Sequence, residues 1–320
     1  MTLRAHLPKS LHSLPAVEVL ERSARENRLG HAILLHGPHG KTLEEVAHAA
    51  AKHLLESANA PEKHPDFFSL RPVGATRRIK VGTSPNEDNS MRRLVVNLSN
   101  SANQQGAKVA IIYEADRMNA SSANAFLKTL EEPPPGSYII LLSTQPYHLL
   151  DTIRSRCLSF RIGATAVAIA DEAWIQWKKD YVSWICDLID SKNRPSPSDL
   201  TFRVYALIAG FQSVLEIISK RESKEALSHL SESAADDLIA STKAGVEKGF
   251  QRQLITDVAE STAACVRAIE SENTGQLPIN AYSQIIKIFH EMMRLSEVNV
   301  PLSVVLEYFF LRSLKVWTVR

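Results

Sequence analysis

Cysteine is scarce in this chain: Cys157, Cys186 and Cys265 are the only three in 320 residues, widely spaced and with no C-x-x-C pair. That spacing indicates neither a disulfide framework nor a four-cysteine zinc ribbon. Long apolar runs are missing too. No stretch approaches the roughly 20 apolar residues that a bilayer-spanning helix requires, and the N-terminus lacks the charged-then-apolar order of a signal peptide. The expectation is a cytoplasmic protein with no membrane partner. Nor does one charge dominate, since Lys plus Arg number 37 against 35 for Asp plus Glu, a formal charge of +2. This balance argues against a nucleic-acid binder acting alone through bulk electrostatics, so any contact with DNA must come from a local patch or a shared surface.

What is present is an ordinary globular composition, 44% hydrophobic and 22% charged, over a length that calls for two or three domains at roughly 150 residues each. The stretch from Val109 to Cys157 carries most information. Val109-Ala110-Ile111-Ile112 is an apolar run followed by Tyr113-Glu114-Ala115-Asp116, the pattern of a buried parallel strand that delivers a polar tip to a site. A helix with Ala125, Leu127 and Leu130 on its apolar face follows and is stopped by Pro133-Pro134-Pro135-Gly136. A second apolar strand runs from Ile139 to Thr144. Strand, helix and strand imply a right-handed crossover in a sheet covered on both faces, with ligands expected at the carboxyl ends of the strands.

Upstream, Val17, Leu20 and Ala24 recur at helical spacing, and Leu29–His36 is a short apolar strand. The strand empties into Gly37-Pro38-His39-Gly40-Lys41-Thr42, and an Ala-rich helix runs from Leu43 to about Leu55. Strand, Gly-rich loop, Lys-Thr and helix form the context of a phosphate-binding loop, in which the helix N-terminus and free amides face the anion. A working loop has four residues between its first Gly and the Gly-Lys pair. Here only Pro38 and His39 separate Gly37 from Gly40, and proline donates no amide. The loop is therefore expected to be degenerate, with no cofactor required; a residual phosphate or nucleotide at Lys41 and Thr42 is left open. His64-Pro65-Asp66-Phe67 reads as a hydrogen-bonded turn opening a strand. Arg77, Arg78 and Lys80, with Arg92 and Arg93, form the one basic concentration of the first half. They are candidates for DNA phosphate contacts, weighed against a solvated helix face.

Three segments, Glu114-Ala115-Asp116-Arg117-Met118-Asn119, Ala123 to Pro134, and Ser155-Arg156-Cys157, resemble in type and order the bacterial clamp-loader AAA+ subunits of DNA polymerase III. The resemblance covers residues 31–162 most clearly. It implies α/β plus all-α architecture: a RecA-like AAA+ domain with a parallel sheet and flanking helices over 1–162, a small helical lid over 163–200 and a helical collar for oligomerisation over 201–320. It also implies partners: gamma/tau motor subunits and a delta subunit in a hetero-pentameric ring, the sliding clamp, and primed DNA reached through the assembled complex. Many members carry a four-cysteine zinc module between the loop and the central strand. This chain has no cysteine in that interval, so no zinc is expected.

A hydrolysing member needs an Asp at the central strand end to help hold Mg²⁺ and a following Glu to orient water. Here Tyr113 and Glu114 stand there, and a phenol is a poor ligand for a hard cation. The short loop and the missing Asp together place the resemblance in the delta-prime branch, without intrinsic hydrolysis. By the same resemblance Ser143 or Thr144 takes the γ-phosphate-sensing position. Arg156, between Ser155 and Cys157, is then an arginine finger acting in trans on ATP held by a neighbouring subunit, a contribution of about 10³- to 10⁵-fold in rate. Cys157 itself reads as a small buried apolar residue. The alternatives are an active gamma/tau-like ATPase and a degenerate AAA+ interaction module outside replication.

After Gly163 the chain reads as helix. Trp174, Trp177, Tyr181, Trp184 and Leu188 share one helical face, and core packing is favoured over an aromatic platform for a partner. Ser191 to Ser198 reads as a linker with Asp199 or Thr201 as a helix cap, and Gly275-Gln276-Leu277-Pro278 as a turn. The apolar residues of the last helices, among them Ile285, Met292, Val305 and Phe309, serve either an internal core or a subunit interface.

Overall fold

Among the described residues the apolar runs of the first half form five parallel strands: β1 (Ala32–His36), β2 (Phe67–Leu70), β3 (Lys108–Ile112), β4 (Ser137–Ser143) and β5 (Leu158–Arg161). In the computed structural model the described residues are 2–318 apart from 27, 75, 101, 103–105, 164–168, 170, 190–193, 229, 231–234, 272–278 and 299. The turn expected at Gly275–Pro278 and the start of the linker at Ser191–Asn193 lie outside the described residues. The sheet order is β2-β3-β4-β1-β5 with every pairing parallel. Helices α1 (Pro15–Arg25), α2 (Gly40–Leu54), α3 (Met91–Ser99), α4 (Ala120–Glu131) and the single turn α5 (Asp151–Arg154) surround it.

Both sheet faces are covered, which is why the strands read as continuous apolar runs. Ile33, Leu35, Val109, Ile111, Ile140 and Leu142 share one core with Val17 and Leu20 of α1 and Val46 and Ala50 of α2. Their alternates Leu34, Ala110, Ile112, Ile139 and Leu141 share the other with Leu94 of α3 and Phe126 of α4. The period of two along each strand thus builds two cores from one sheet. Asn119 starts α4, its Oδ1 accepting the Ser122 N–H at 2.8 Å. The helix buries Ala123, Phe126 and Leu130, with Leu127 at the margin, whereas Ala125, expected on that face, is exposed.

The chain divides into two compact units, Met1–Ala168 with Lys224–Gly245, and Ile169–Ser223 with Val246–Arg320. The second draws on α6 (Glu172–Ile189), most of α7 (Pro197–Ser228) and of α8 (Asp236–Ser271), α9 (Ile279–Glu297) and α10 (Leu302–Thr318). Trp174, Trp177, Tyr181, Trp184 and Leu188 are all buried, so the aromatic stripe is core. Trp174 and Trp177 stack at 4.8 Å between ring centroids, and Phe310 meets Trp184 edge-on at 5.5 Å. Each indole N–H is satisfied: Trp174 donates to Asp257 at 2.9 Å, Trp177 to the Leu207 carbonyl at 2.8 Å and Trp184 to the Leu200 carbonyl at 3.4 Å.

Two expectations are corrected here. The cap of α7 is neither Asp199 nor Thr201: Ser196 Oγ accepts the Asp199 N–H at 3.2 Å, and Pro197 occupies the first helical position. Further, α7, with 32 residues, is long and apolar enough by length and composition to cross a bilayer. Its apolarity has a local cause, because Leu200, Val204, Leu207, Phe211, Leu215 and Ile218 recur at helical spacing and are buried in the core.

Candidate functional site

β1 lies between β4 and β5, and this fixes the loop that follows it. The Gly37 N–H donates to the Ser143 carbonyl at 3.3 Å, and the Ile162 N–H to the His36 carbonyl at 2.8 Å. Gly37 is so close to β5's exit that a Cβ there would sit 2.3 Å from the Ile162 oxygen. Only glycine fits. α2 then starts at Gly40 with no wider turn, leaving Pro38 and His39 as the whole span. Thr42 is buried, and the Lys41 ammonium pairs with Glu225 Oε2 at 3.0 Å. Gly37, Gly40, Lys41 and Thr42 are thus gathered at the carboxyl end of β1, the end at which an open α/β sheet binds ligands.

Tyr113, the residue after β3, is buried and engaged on every side. Its hydroxyl lies 2.6 Å from His48 Nε2, and the Arg71 guanidinium covers its ring at 3.3 Å from the centroid. Burial pushes the phenol well above its ordinary range, so it stays protonated. The hydroxyl and His48 Nε2 share a hydrogen bond, and His48 Nδ1 faces Glu62 Oε1 at 3.5 Å. Arg71 follows β2 and is held by Asn89, whose Oδ1 accepts its N–H at 2.8 Å, and by Glu44 of α2 at 3.5 Å. Burial works to lower the Arg71 guanidinium, but Tyr113, Glu44 and Glu114 outweigh it and the group stays charged.

Glu114 has a left-handed backbone, φ 46°, and its carboxylate pairs with Arg77, which has φ 48°. Two non-glycine residues in that region are worth noting, since each costs on the order of 1 kcal/mol that the surroundings must offset. The ion pair is one such offset. Arg77 is buried, and the Cα of Gly245 lies against it: a Cβ there would come 2.2 Å from its Nη2. Asp116 Oδ1 accepts the Ser143 Oγ–H at 2.6 Å, and Ser143 Oγ accepts the Gln145 N–H at 3.0 Å. The expected sensor position therefore ties β4 to the turn after β3.

Arg156 lies elsewhere. It precedes β5, whose Leu158 is in register with Ile33 of β1, so it stands level with the amino end of β1 while Lys41 lies beyond the carboxyl end. At about 3.3 Å per residue the two are separated by on the order of 20 Å along the strands. Arg156 is held by Glu131 Oε1, 2.9 Å from Nε and 2.6 Å from Nη2, and by the Thr152 carbonyl at 2.9 Å. Ser155 Oγ sits 3.4 Å from Nη1. Cys157 is half-buried, and burial pushes its thiol up to about 12, which removes it as a nucleophile.

Residues 13–166 match the family described as DNA polymerase III, delta subunit. Within nearly the same region the chain is 33% identical to DNA polymerase III subunit delta' of Yersinia pestis over 166 residues, 47% of this chain and 46% of that protein. It is 36% identical to the delta' subunit of Pseudomonas aeruginosa over 143 residues, 40% of this chain and 42% of that one. The first half of the chain is similar to the corresponding part of these delta' subunits. The match thus spans under half the length of these relatives. Among solved structures, a DNA polymerase III gamma subunit-related protein of Thermotoga maritima aligns over 94% of this chain and 99% of its own, with 18% identity and a TM-score of 0.43.

In this domain the expected basic strip is divided by burial. Arg78, Lys80 and Arg92 are exposed and Arg93 half-exposed, but Arg77 is turned inward to Glu114. It cannot reach a phosphate without breaking that pair. Arg71, Glu44, His48 and Glu62, which surround Tyr113, carry no motif and were not expected; Arg71 directly after a strand was the one available signal. A polar cavity of about 960 Å³ opens at the amino ends of β2, β3 and β4, lined by Arg25, Lys52, His53, His64, Asp66 and Tyr138 among others. None of the expected site residues lines it.

Proposed function

We propose that this chain is a non-hydrolysing delta-prime subunit of a bacterial DNA polymerase III clamp loader. In this reading it joins gamma/tau motor subunits and a delta subunit in a hetero-pentameric ring that places the sliding clamp on primed DNA. One observation carries the reading: Tyr113 and Glu114 are taken up by His48, Arg71 and Arg77, while Arg156 stands at the opposite end of the sheet. A side chain so placed has no route to a nucleotide at its own loop. A neighbour's ATP is then its target, where a guanidinium stabilises charge spread over the transferring phosphoryl group. The half-exposed side chain must exchange Glu131 for phosphate, a swap that costs little because surface ion pairs contribute only ~1 kcal/mol or less.

In the same proposal the helices after residue 163 supply lid and collar, and no zinc is used. Arg78, Lys80, Arg92 and Arg93 contact DNA backbone without reading sequence. The test is ATP turnover by the reconstituted complex with Arg156→Ala in this chain, alongside a check of assembly. A loss of about 10-fold or more with the ring intact supports the reading. Unchanged turnover leaves Arg156 a structural residue. Turnover by the isolated chain that disappears with Lys41→Ala would replace this reading by an active ATPase.

A further inference from the structure

Cys186 on α6 and Cys265 on α8 are 79 residues apart in sequence, yet their sulfurs lie 3.8 Å apart within the helical unit. Cys186 is exposed and Cys265 buried. The helices that carry them are held in register by two other contacts. Trp174 Nε1 donates to Asp257 at 2.9 Å, and the Tyr181 hydroxyl meets Thr262 Oγ1 at 2.7 Å. These contacts advance along α6 and α8 in the same sense, with the two thiols as the next meeting point. A disulfide requires the sulfurs to close to about 2.05 Å, a movement of under 2 Å that side-chain rotation can largely supply.

We propose that Cys186 and Cys265 are a covalent modification site, joined in a reversible internal disulfide by a small-molecule disulfide of the glutathione class. The exposed thiol reacts first. Cys186 gives up its proton and its sulfur attacks one sulfur of glutathione disulfide, releasing one glutathione and leaving a mixed disulfide. Cys265 then gives up its proton and attacks the Cys186 sulfur, expelling the second glutathione. Two protein thiols are oxidised, one glutathione disulfide is reduced to two glutathiones, and the two protons leave with them. Burial and the neighbouring Cys186 push the Cys265 thiol up to about 12, so the second step is the slow one and the bond forms over minutes to hours.

The experiment uses the full chain with excess glutathione disulfide, followed by alkylation of remaining thiols after denaturation, intact mass and peptide mapping. The expected product is one Cys186–Cys265 bridge per chain, with Cys157 still alkylated. Its thermal midpoint rises by about 5 °C or more and returns on reduction, because the bridge closes a long loop. Cys265→Ser stops at the glutathione adduct on Cys186, and Cys186→Ser gains neither adduct nor bridge. A lasting adduct on wild-type Cys186, a bridge between two chains, no reaction, or a lowered midpoint in the bridged form would each overturn the proposal.

Discussion

Replacing Glu114 by Gln separates two roles for a glutamate after this strand. If it oriented water for hydrolysis, the change would slow turnover and barely touch stability. Here the carboxylate neutralises Arg77, whose side chain is only 7% exposed against 35% for Glu114. Unpairing a fully buried charge costs roughly 3–5 kcal/mol. Glu114 is a third exposed and a glutamine oxygen still accepts one hydrogen bond, so the expected loss is about 1–2 kcal/mol. For a unit of this size that lowers the melting midpoint by roughly 2–8 °C. The assay pairs a thermal melt of the isolated chain with ATP turnover of the reconstituted complex, which should stay within about twofold. A double change with Arg77→Met should be less destabilising than the sum of the two single changes by about 1 kcal/mol. Turnover reduced tenfold or more with an unchanged midpoint would refute the argument.

Gly37→Ala should cost about 1–3 kcal/mol, since its methyl would meet the Ile162 carbonyl at 2.3 Å; hydrogen exchange at the Ile162 amide should quicken, and an unchanged rate would show the loop absorbs the clash. Trp174→Phe removes the indole N–H from Asp257, whose side chain is 8% exposed, and should lower the urea midpoint by an amount worth about 2–3 kcal/mol at unchanged m-value. For pH, burial and then Arg161 lower the His36 imidazole from its ordinary 6.5. The unfolded chain therefore binds a proton there more readily, and stability falls as pH drops through about 6.5. His36→Gln should flatten that slope in urea melts between about pH 7.5 and 5.5, leaving the part contributed by His6, which burial also lowers; a steeper slope would contradict the sign.

The sheet was legible because its strands are buried on both faces, and a buried parallel strand announces itself as a run such as Val109–Ile112 or Ile139–Leu142. The loop and strand-end residues were legible as identities, since Gly37 to Thr42 and Tyr113 stand at fixed offsets from those runs. Their partners were not. Glu225 meets Lys41 across 184 positions, and no local pattern encodes that meeting. The same holds for Cys186 and Cys265, whose spacing rules out every local motif while the packing of α6 on α8 brings them together. Arg77 was misjudged as surface because basic residues in a row normally face water. Its burial follows from a left-handed turn and from Gly245 leaving room for it, neither of which is visible in a run of arginines.

The way these substitutions fit together bears on the proposed role more than either defect alone. In a hydrolysing site the acids after the central strand are balanced by a magnesium ion and by phosphate chemistry, and that balance changes with each turnover. In this chain Glu114 is balanced by Arg77, and Glu44 faces Arg71, which also roofs Tyr113. These cations are covalently part of the protein. They do not exchange or leave with product, so these two acids are balanced by the chain's own side chains. Placing Asp at position 113 would add a further acid beside Glu44, Glu62 and Glu114 without removing either arginine or lengthening the loop after Gly37. Arg156 faces no such constraint, because Glu131 holds it at a half-exposed site remote from that cluster. In the proposed role Arg156 exchanges Glu131 for a neighbour's phosphate without disturbing that cluster, since the two lie at opposite ends of the sheet.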